Sequence, residues 1–147
     1  MKIRFNDTRP ATAPAETLYD VITDYAAYPS FNAAVRTMRV VRHDERGAEF
    51  IAGRSTKVEK DAHAYDRYER VDDLVIDRTY GSDTDARSTW TIHAVDADHA
   101  TLNIDASMTM PWWKGIVMKP FLRKIFYGIN FTPFIEEAER RTSSLAA

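Results

Sequence analysis

From residue 35 to residue 110 the chain keeps one texture, and that texture constrains the fold more than anything else in the sequence. Short runs rich in Val, Ile, Thr, Tyr and Phe are separated by polar or glycine-containing turns. Such alternation is how an antiparallel meander is written, because side chains on a strand point to opposite faces in turn. Six strands are expected there, centred on residues 35–42, 48–58, 63–69, 74–80, 88–94 and 100–110. Turns are expected at Asp44-Glu45-Arg46-Gly47, Asp72-Asp73, residues 81–85 and Asp96-Ala97-Asp98. Lys2-Ile3-Arg4-Phe5-Asn6 alternates in the same way and adds a seventh strand, enough for a strongly curved sheet.

Helical periodicity brackets this meander. Pro14 suits a first helical position, Glu16 a positively polarised first turn, and Leu18, Val21, Ile22 and Tyr25 form one apolar stripe. Residues 24–32 read as a second short helix or turn, with Pro29 biasing Tyr28 toward extended backbone. A longer helix is expected to start near Pro120 and to bury Phe121, Leu122, Ile125, Phe126, Ile129, Phe134, Ile135 and Ala138. Pro133 has no N–H and crowds the carbonyl of Ile129, which predicts a bend or break there. Residues 136–141 read as a solvated helix end and 142–147 as a frayed tail. Without an internal repeat or a low-complexity linker, residues 1–147 are expected to form a single domain.

With 147 residues the chain can bury roughly two-thirds of its unfolded surface, so no disulfide or structural metal is needed for stability. It has no cysteine, which excludes thiol nucleophiles, thiolate metal sites and redox dithiols and fits a reducing compartment. A net charge of -2 offers no global attraction to nucleic acid or to anionic lipid. The apolar region 112–135 is interrupted by Lys114, Lys119, Pro120, Arg123 and Lys124, and the N-terminus shows no export signal, so a cytoplasmic protein is expected.

A seven-stranded sheet with one wet face must cover the other, and the terminal helix is the natural filler. A curved sheet and one rod do not fill the space between them everywhere. Large apolar residues, among them Trp112 and Met118, are offered to that space, where they would line a chamber or simply complete a solid core.

Three passages resemble the START-like (SRPBCC) superfamily, the helix-grip fold, and in particular its bacterial polyketide cyclase/dehydrase and lipid-transport branch. They are the opening from Ala13 to Phe31, with its Tyr28-Pro29 pair, the strand Ser88-Thr89-Trp90-Thr91-Ile92, and the closing helix from Pro120 to Arg141. Phe31 stands where many relatives carry tryptophan, and Asp98-His99 where the turn usually contains glycine. The resemblance implies an α+β fold, a curved antiparallel sheet gripping a long C-terminal helix, with two short helices after the first strand. It also implies a cavity for lipids, quinones or polyketide-like compounds. The expected ligand-binding residues are Phe50, Arg54, Tyr65, Tyr68, Trp90, Met108, Met110, Trp113, Phe121 and Ile125.

Chemistry is harder to read. A cyclase needs a proton-moving group beside a ketone and donors for the enolate, and Arg54 and Tyr68 are the weak candidates, with Arg67, Tyr65 and His93 behind them. Arg54 shares a strand face with Phe50 and Ala52, and Glu69 is an alternative ion-pair partner for it. Tyr65 and Tyr68 have opposite parity, so only one of them faces inward. His93 faces water if Trp90 is buried. His43, His63 and His99 lie near turns or strand ends without metal-ligand spacing, so no metal is expected, and no cofactor motif is present. The aspartates from Asp61 to Asp98, Asp66 included, read as solvated turn residues. Trp112-Trp113-Lys114, followed by Lys119, Arg123 and Lys124, suits either a transient membrane contact or a cover over the entrance. The leading expectation is a non-catalytic carrier of a hydrophobic small molecule, and the alternative is a cofactor-independent cyclase or dehydratase.

Overall fold

The computed structural model describes residues 1–54, 61–81 and 86–146, apart from the side chains of Arg54 and Ala146. Strands β1 (Lys2–Ala11), β2 (Val35–Asp44), β3 (Gly47–Arg54), β4 (Ala62–Arg70), β5 (Leu74–Tyr80), β6 (Arg87–Ala94) and β7 (Ala100–Thr109) form one sheet in the order β1-β7-β6-β5-β4-β3-β2. Every pairing is antiparallel, and the N-terminal strand closes on the last one. The expected continuation of β3 toward Val58 lies outside the described residues, as does most of the turn at 81–85. Two register shifts in β2, at Val35/Thr37 and Val40/Arg42, bend that edge.

Helix α1 (Ala15–Thr23) and the short α2 (Tyr28–Phe31) are joined by a single 3-10 turn. Pro14 is the N-cap rather than the first helical residue, in extended backbone at ψ 147°. Tyr28 is helical, at φ -48° and ψ -47°, against the extended bias that Pro29 imposes. Tertiary contacts override the local preference: Tyr28 donates to the carbonyl of Ile22, accepts from Arg78 at 3.0 Å, and packs its ring edge-on against Phe134.

The C-terminal helix begins earlier than Pro120. Helix α3 (Trp112–Phe126) starts behind Pro111 and carries Pro120 in its interior, a π turn spans Tyr127–Phe131, and α4 (Thr132–Ala146) continues the chain. The π turn stands just ahead of Pro133. In an unbroken α-helix the carbonyl of Ile129 would accept from residue 133, which is proline and has no proton to give. Buried Asn32 takes that role, donating Nδ2–H to the Ile129 carbonyl at 2.9 Å.

The core lies between the concave sheet face, α1 and α4. Trp90, Ile76, Ile92, Leu102 and Ile104 supply the sheet side, Leu18, Val21 and Ile22 come from α1, and Phe134 and Ala138 from α4. Helix α3 is held at fewer points. Met1 fills the space where Gly115 has no side chain, Phe126 stacks on Phe5 at 4.7 Å, and Arg123 meets Asp7 at 3.2 Å.

Candidate functional site

Strands β4 and β5 place Asp66 opposite Arg78 in register, both on the concave face. Their neighbours two residues away, Ala64 and Ile76, are fully buried, so strand alternation carries the two charges into the interior as well. Asp66 is 3% and Arg78 4% exposed. The pair is bidentate, Nε to Oδ1 at 2.7 Å and Nη2 to Oδ2 at 2.9 Å. Withdrawing two ions from water costs several kcal/mol each, and this geometry offsets the cost with charge-assisted bonds and with aromatic faces. The guanidinium carbon lies 4.9 Å from the Trp90 ring centre and 5.1 Å from that of Phe50.

Tyrosines extend this cluster. Tyr25 donates to Asp66 Oδ2 at 2.6 Å and shares a hydrogen bond of 2.5 Å with the Tyr68 hydroxyl. A continuous polar chain, Arg78 to Asp66 to Tyr25 to Tyr68, thus crosses the interior and reaches the surface near half-buried Tyr68. Burial is the main reason that the phenols of Tyr25, Tyr28 and Tyr68 ionise well above the ordinary tyrosine range. Burial is the largest influence on Arg78 and works against its charge, but the facing Asp66 carboxylate, with Tyr28 and Tyr80 beside it, holds the guanidinium protonated. At neutral pH the cluster therefore holds a fixed cation, while its phenol protons are engaged within the fold, Tyr28 with the Ile22 carbonyl, Tyr25 with Asp66 and Tyr68 with Tyr25. Its one carboxylate is engaged by Arg78 and Tyr25.

A cavity of about 60 Å³ opens beside the cluster. Arg78, Tyr28, Tyr80, Asn32 and Asn130 give it polar walls, and Phe50, Ala52, Ala62, Ile129 and Phe134 apolar ones. Roughly 30 Å³ is one water's share of the liquid, so this space suits the head group of a ligand rather than a whole drug-sized molecule. Two of its walls, Ile129 and Asn130, belong to the π turn.

The ten residues expected to bind ligand are distributed unevenly. Phe50 lines the cavity, Trp90 lies beneath the Arg78 guanidinium, and Tyr68 ends the polar chain. Tyr65 stands on the opposite face, 41% exposed and stacked on His63, because its parity is opposite to that of Asp66 and Tyr68. Met108 and Met110 are partly buried. Trp113, Phe121 and Ile125 are 59%, 63% and 44% exposed on α3 and are not enclosed by the cavity, because α3 rides on the β1 edge instead of filling the sheet. The Arg54 side chain lies outside the described residues. His93 is exposed beside Asp73, as its parity requires once Trp90 is buried.

Asp66 and Arg78 are the residues that sequence reasoning missed. Asp66 is not a solvated turn residue but half of the buried pair, and the signal for it was present. A hairpin turning about Asp72 sets Asp66 and Arg78 opposite one another, each alternating with apolar neighbours.

Several solved structures share this architecture. The Zhui aromatase/cyclase from Streptomyces sp. R1128 is 11% identical, with a TM-score of 0.72 over 96% of both chains. A START superfamily protein from Mycobacterium smegmatis is 16% identical, with a TM-score of 0.68 over 97% of this chain and 98% of that one. A STAR-related lipid transfer protein fragment from Xanthomonas axonopodis is 15% identical, with a TM-score of 0.69 over 92% of this chain and 85% of that one. No curated protein sequence matches at a significant level. At these identities the likeness speaks for the helix-grip fold alone. The sequence itself goes further, because a family profile matches residues 2–136, nearly the whole chain: the protein belongs to the polyketide cyclase / dehydrase and lipid transport family.

Proposed function

We propose that the protein binds and carries a hydrophobic small molecule, lipid, quinone or polyketide-like, with an oxygen-bearing head group held in the cavity beside Arg78 and Tyr28. The apolar body would occupy space made by displacement of α3 and the π turn. The observation that carries this reading is the buried Asp66–Arg78 pair beside a cavity with part polar and part apolar walls: it sets a permanent cation where an uncharged or anionic oxygen would be desolvated. Family membership favours the same chemistry. Carriage of this kind would bring Trp112 and Trp113 into transient contact with a membrane.

A cyclase or dehydratase is the second reading, with Arg78 polarising a carbonyl in the way first assigned to Arg54 and Tyr68. The same donors favour it. Against it stands the protonation state of the cluster: Tyr25, Tyr28 and Tyr68 hold their protons, and Asp66 is bound on both oxygens, so among the described residues the cavity presents donors without a poised general base.

Organic extraction of the purified protein followed by mass spectrometry tests carriage directly. A co-purifying apolar compound, and saturable uptake of an added fluorescent fatty acid, are expected. Absence of both would remove the carrier reading. Turnover of a polyketide-like ketone by protein that retains no ligand would install the second.

A further inference from the structure

Helix α3 is apolar on the side that faces solvent. Trp113, Val117 and Phe121 follow one another at spacings of four residues, Ile116 lies three residues after Trp113, and the four are 59%, 68%, 63% and 62% exposed in that order, with Trp112 at 68% beside them. The opposite side carries the contacts to the body, through Gly115 and Phe126. A helix with an unpartnered apolar side of this size is normally covered by something.

Charge identifies the cover. From residue 106 to residue 135 there is no acidic side chain, while Lys114, Lys119, Arg123 and Lys124 all lie on α3, in a chain whose net charge is -2. Arg123 meets Asp7 and the hydroxyl of Tyr127, and the three lysines are exposed. Two adjacent tryptophans with lysines beside them suit the water–lipid boundary, where indole rings sit at head-group level and long cationic side chains reach back to phosphate. A second copy of the chain would bring this local positive charge against itself. No helix among the described residues is long and apolar enough to cross a membrane, so the contact is superficial.

We propose that the outward face of α3 docks on anionic lipid bilayers, Trp113, Ile116, Val117 and Phe121 entering the head-group boundary and Lys114, Lys119 and Lys124 meeting lipid phosphate. Docking of this kind serves the carrier role and rests on it for its purpose. Because α3 joins the body through the π turn, two of whose residues wall the cavity, docking would place the bilayer against the element next to the ligand space.

The test is co-sedimentation with vesicles of phosphatidylcholine alone and of phosphatidylcholine mixed with phosphatidylglycerol, followed in parallel by tryptophan emission. Trp90 is 1% exposed, so a blue shift on docking reports Trp112 and Trp113. Binding to the anionic vesicles alone is expected, weakened by salt and reduced at least about tenfold in Lys119→Glu/Lys124→Glu. Trp113→Ala should lose most of the blue shift. All these positions are exposed, so far-UV circular dichroism should be unchanged. Equal binding to both vesicles, or to neither, overturns the proposal. So does concentration-dependent self-association that shields the tryptophans while vesicles have no effect. Fluorescent fatty acid uptake by Lys119→Glu/Lys124→Glu separates the two claims: uptake retained without vesicle binding leaves the cavity role standing, and vesicle binding without uptake leaves the docking.

Discussion

Asp66 and Arg78 form a pair whose energetics depend on completeness. Removing one partner strands a charge in the interior, whereas replacing both with apolar side chains of similar volume is often neutral. Arg78→Met is therefore expected to lower stability by about 3–5 kcal/mol, read by denaturant titration, and Asp66→Leu/Arg78→Met to recover most of that loss. A double variant as unstable as the single one would mean that the pair itself holds the sheet together. Oxygenated ligands should bind the stable double variant more weakly than wild type, since the head-group donor is gone. The tyrosines beside the pair make a second measurable claim. Tyr19, Tyr25, Tyr28 and Tyr68 all ionise above the ordinary value of 10.0, chiefly through burial. A raised native pKa means that the unfolded chain gives up these protons first, so their contribution is complete below pH 10.0 and is lost as pH rises beyond it. Phenolate absorbance should accordingly show a late group of tyrosines that titrates together with unfolding; a single transition at the ordinary value in folded protein would contradict the buried cluster.

At the scale of elements, the junction of α3 and α4 is the informative one. Pro133 removes a donor, the π turn absorbs the misfit, and Asn32 from the far side of the fold supplies the missing hydrogen bond. Asn32→Ala should cost about 1 kcal/mol, because the partly buried Ile129 carbonyl loses its donor. Adding Pro133→Ala to that variant returns an N–H to the helix and should restore part of the melting temperature. If it restores nothing, the π turn is dictated by packing around Phe131 and Phe134 rather than by the proline. Here the sequence was legible in part. The sequence foresees an irregularity at Pro133, and the π turn stands just ahead of it, but Asn32, about a hundred residues distant, carries no local sign that it answers Ile129. The start of α3 was misplaced for a related reason: Pro120 sits well inside the helix, and only the structure puts the true beginning behind Pro111.

Across the whole molecule, α4 ties the ends of the chain together. Glu137, 6% exposed, accepts two bonds from Arg140 and lies 3.6 Å from Arg141, which also reaches Asp24 at the end of α1. The Arg140 hydrogen bonds hold the Glu137 carboxyl below the ordinary glutamate value of 4.5. With a lowered native pKa, the stabilisation is fully present above 4.5 and is lost as pH falls through the native value, because the unfolded chain takes up the proton first. The melting temperature should therefore decline as the solution is acidified below that point, and Glu137→Gln should be less stable at neutral pH and show a shallower acid decline. An unchanged slope would mean that other carboxylates govern acid unfolding.

By itself the sequence determined the strands, their order and the closing helix. Period-two alternation and turn residues are local properties, and once one face of a sheet is greasy the rest of the chain must cover it. Position within the strand also told that only one of Tyr65 and Tyr68 could face inward, though not which. Tertiary structure alone decided where α3 lies, how much space the sheet leaves open, and that Asp66 belongs to the interior. Each of these depends on partners far apart in the chain: a cross-strand cation makes a buried carboxylate tolerable, and a helix face counts as exposed only when nothing else in the fold comes to meet it.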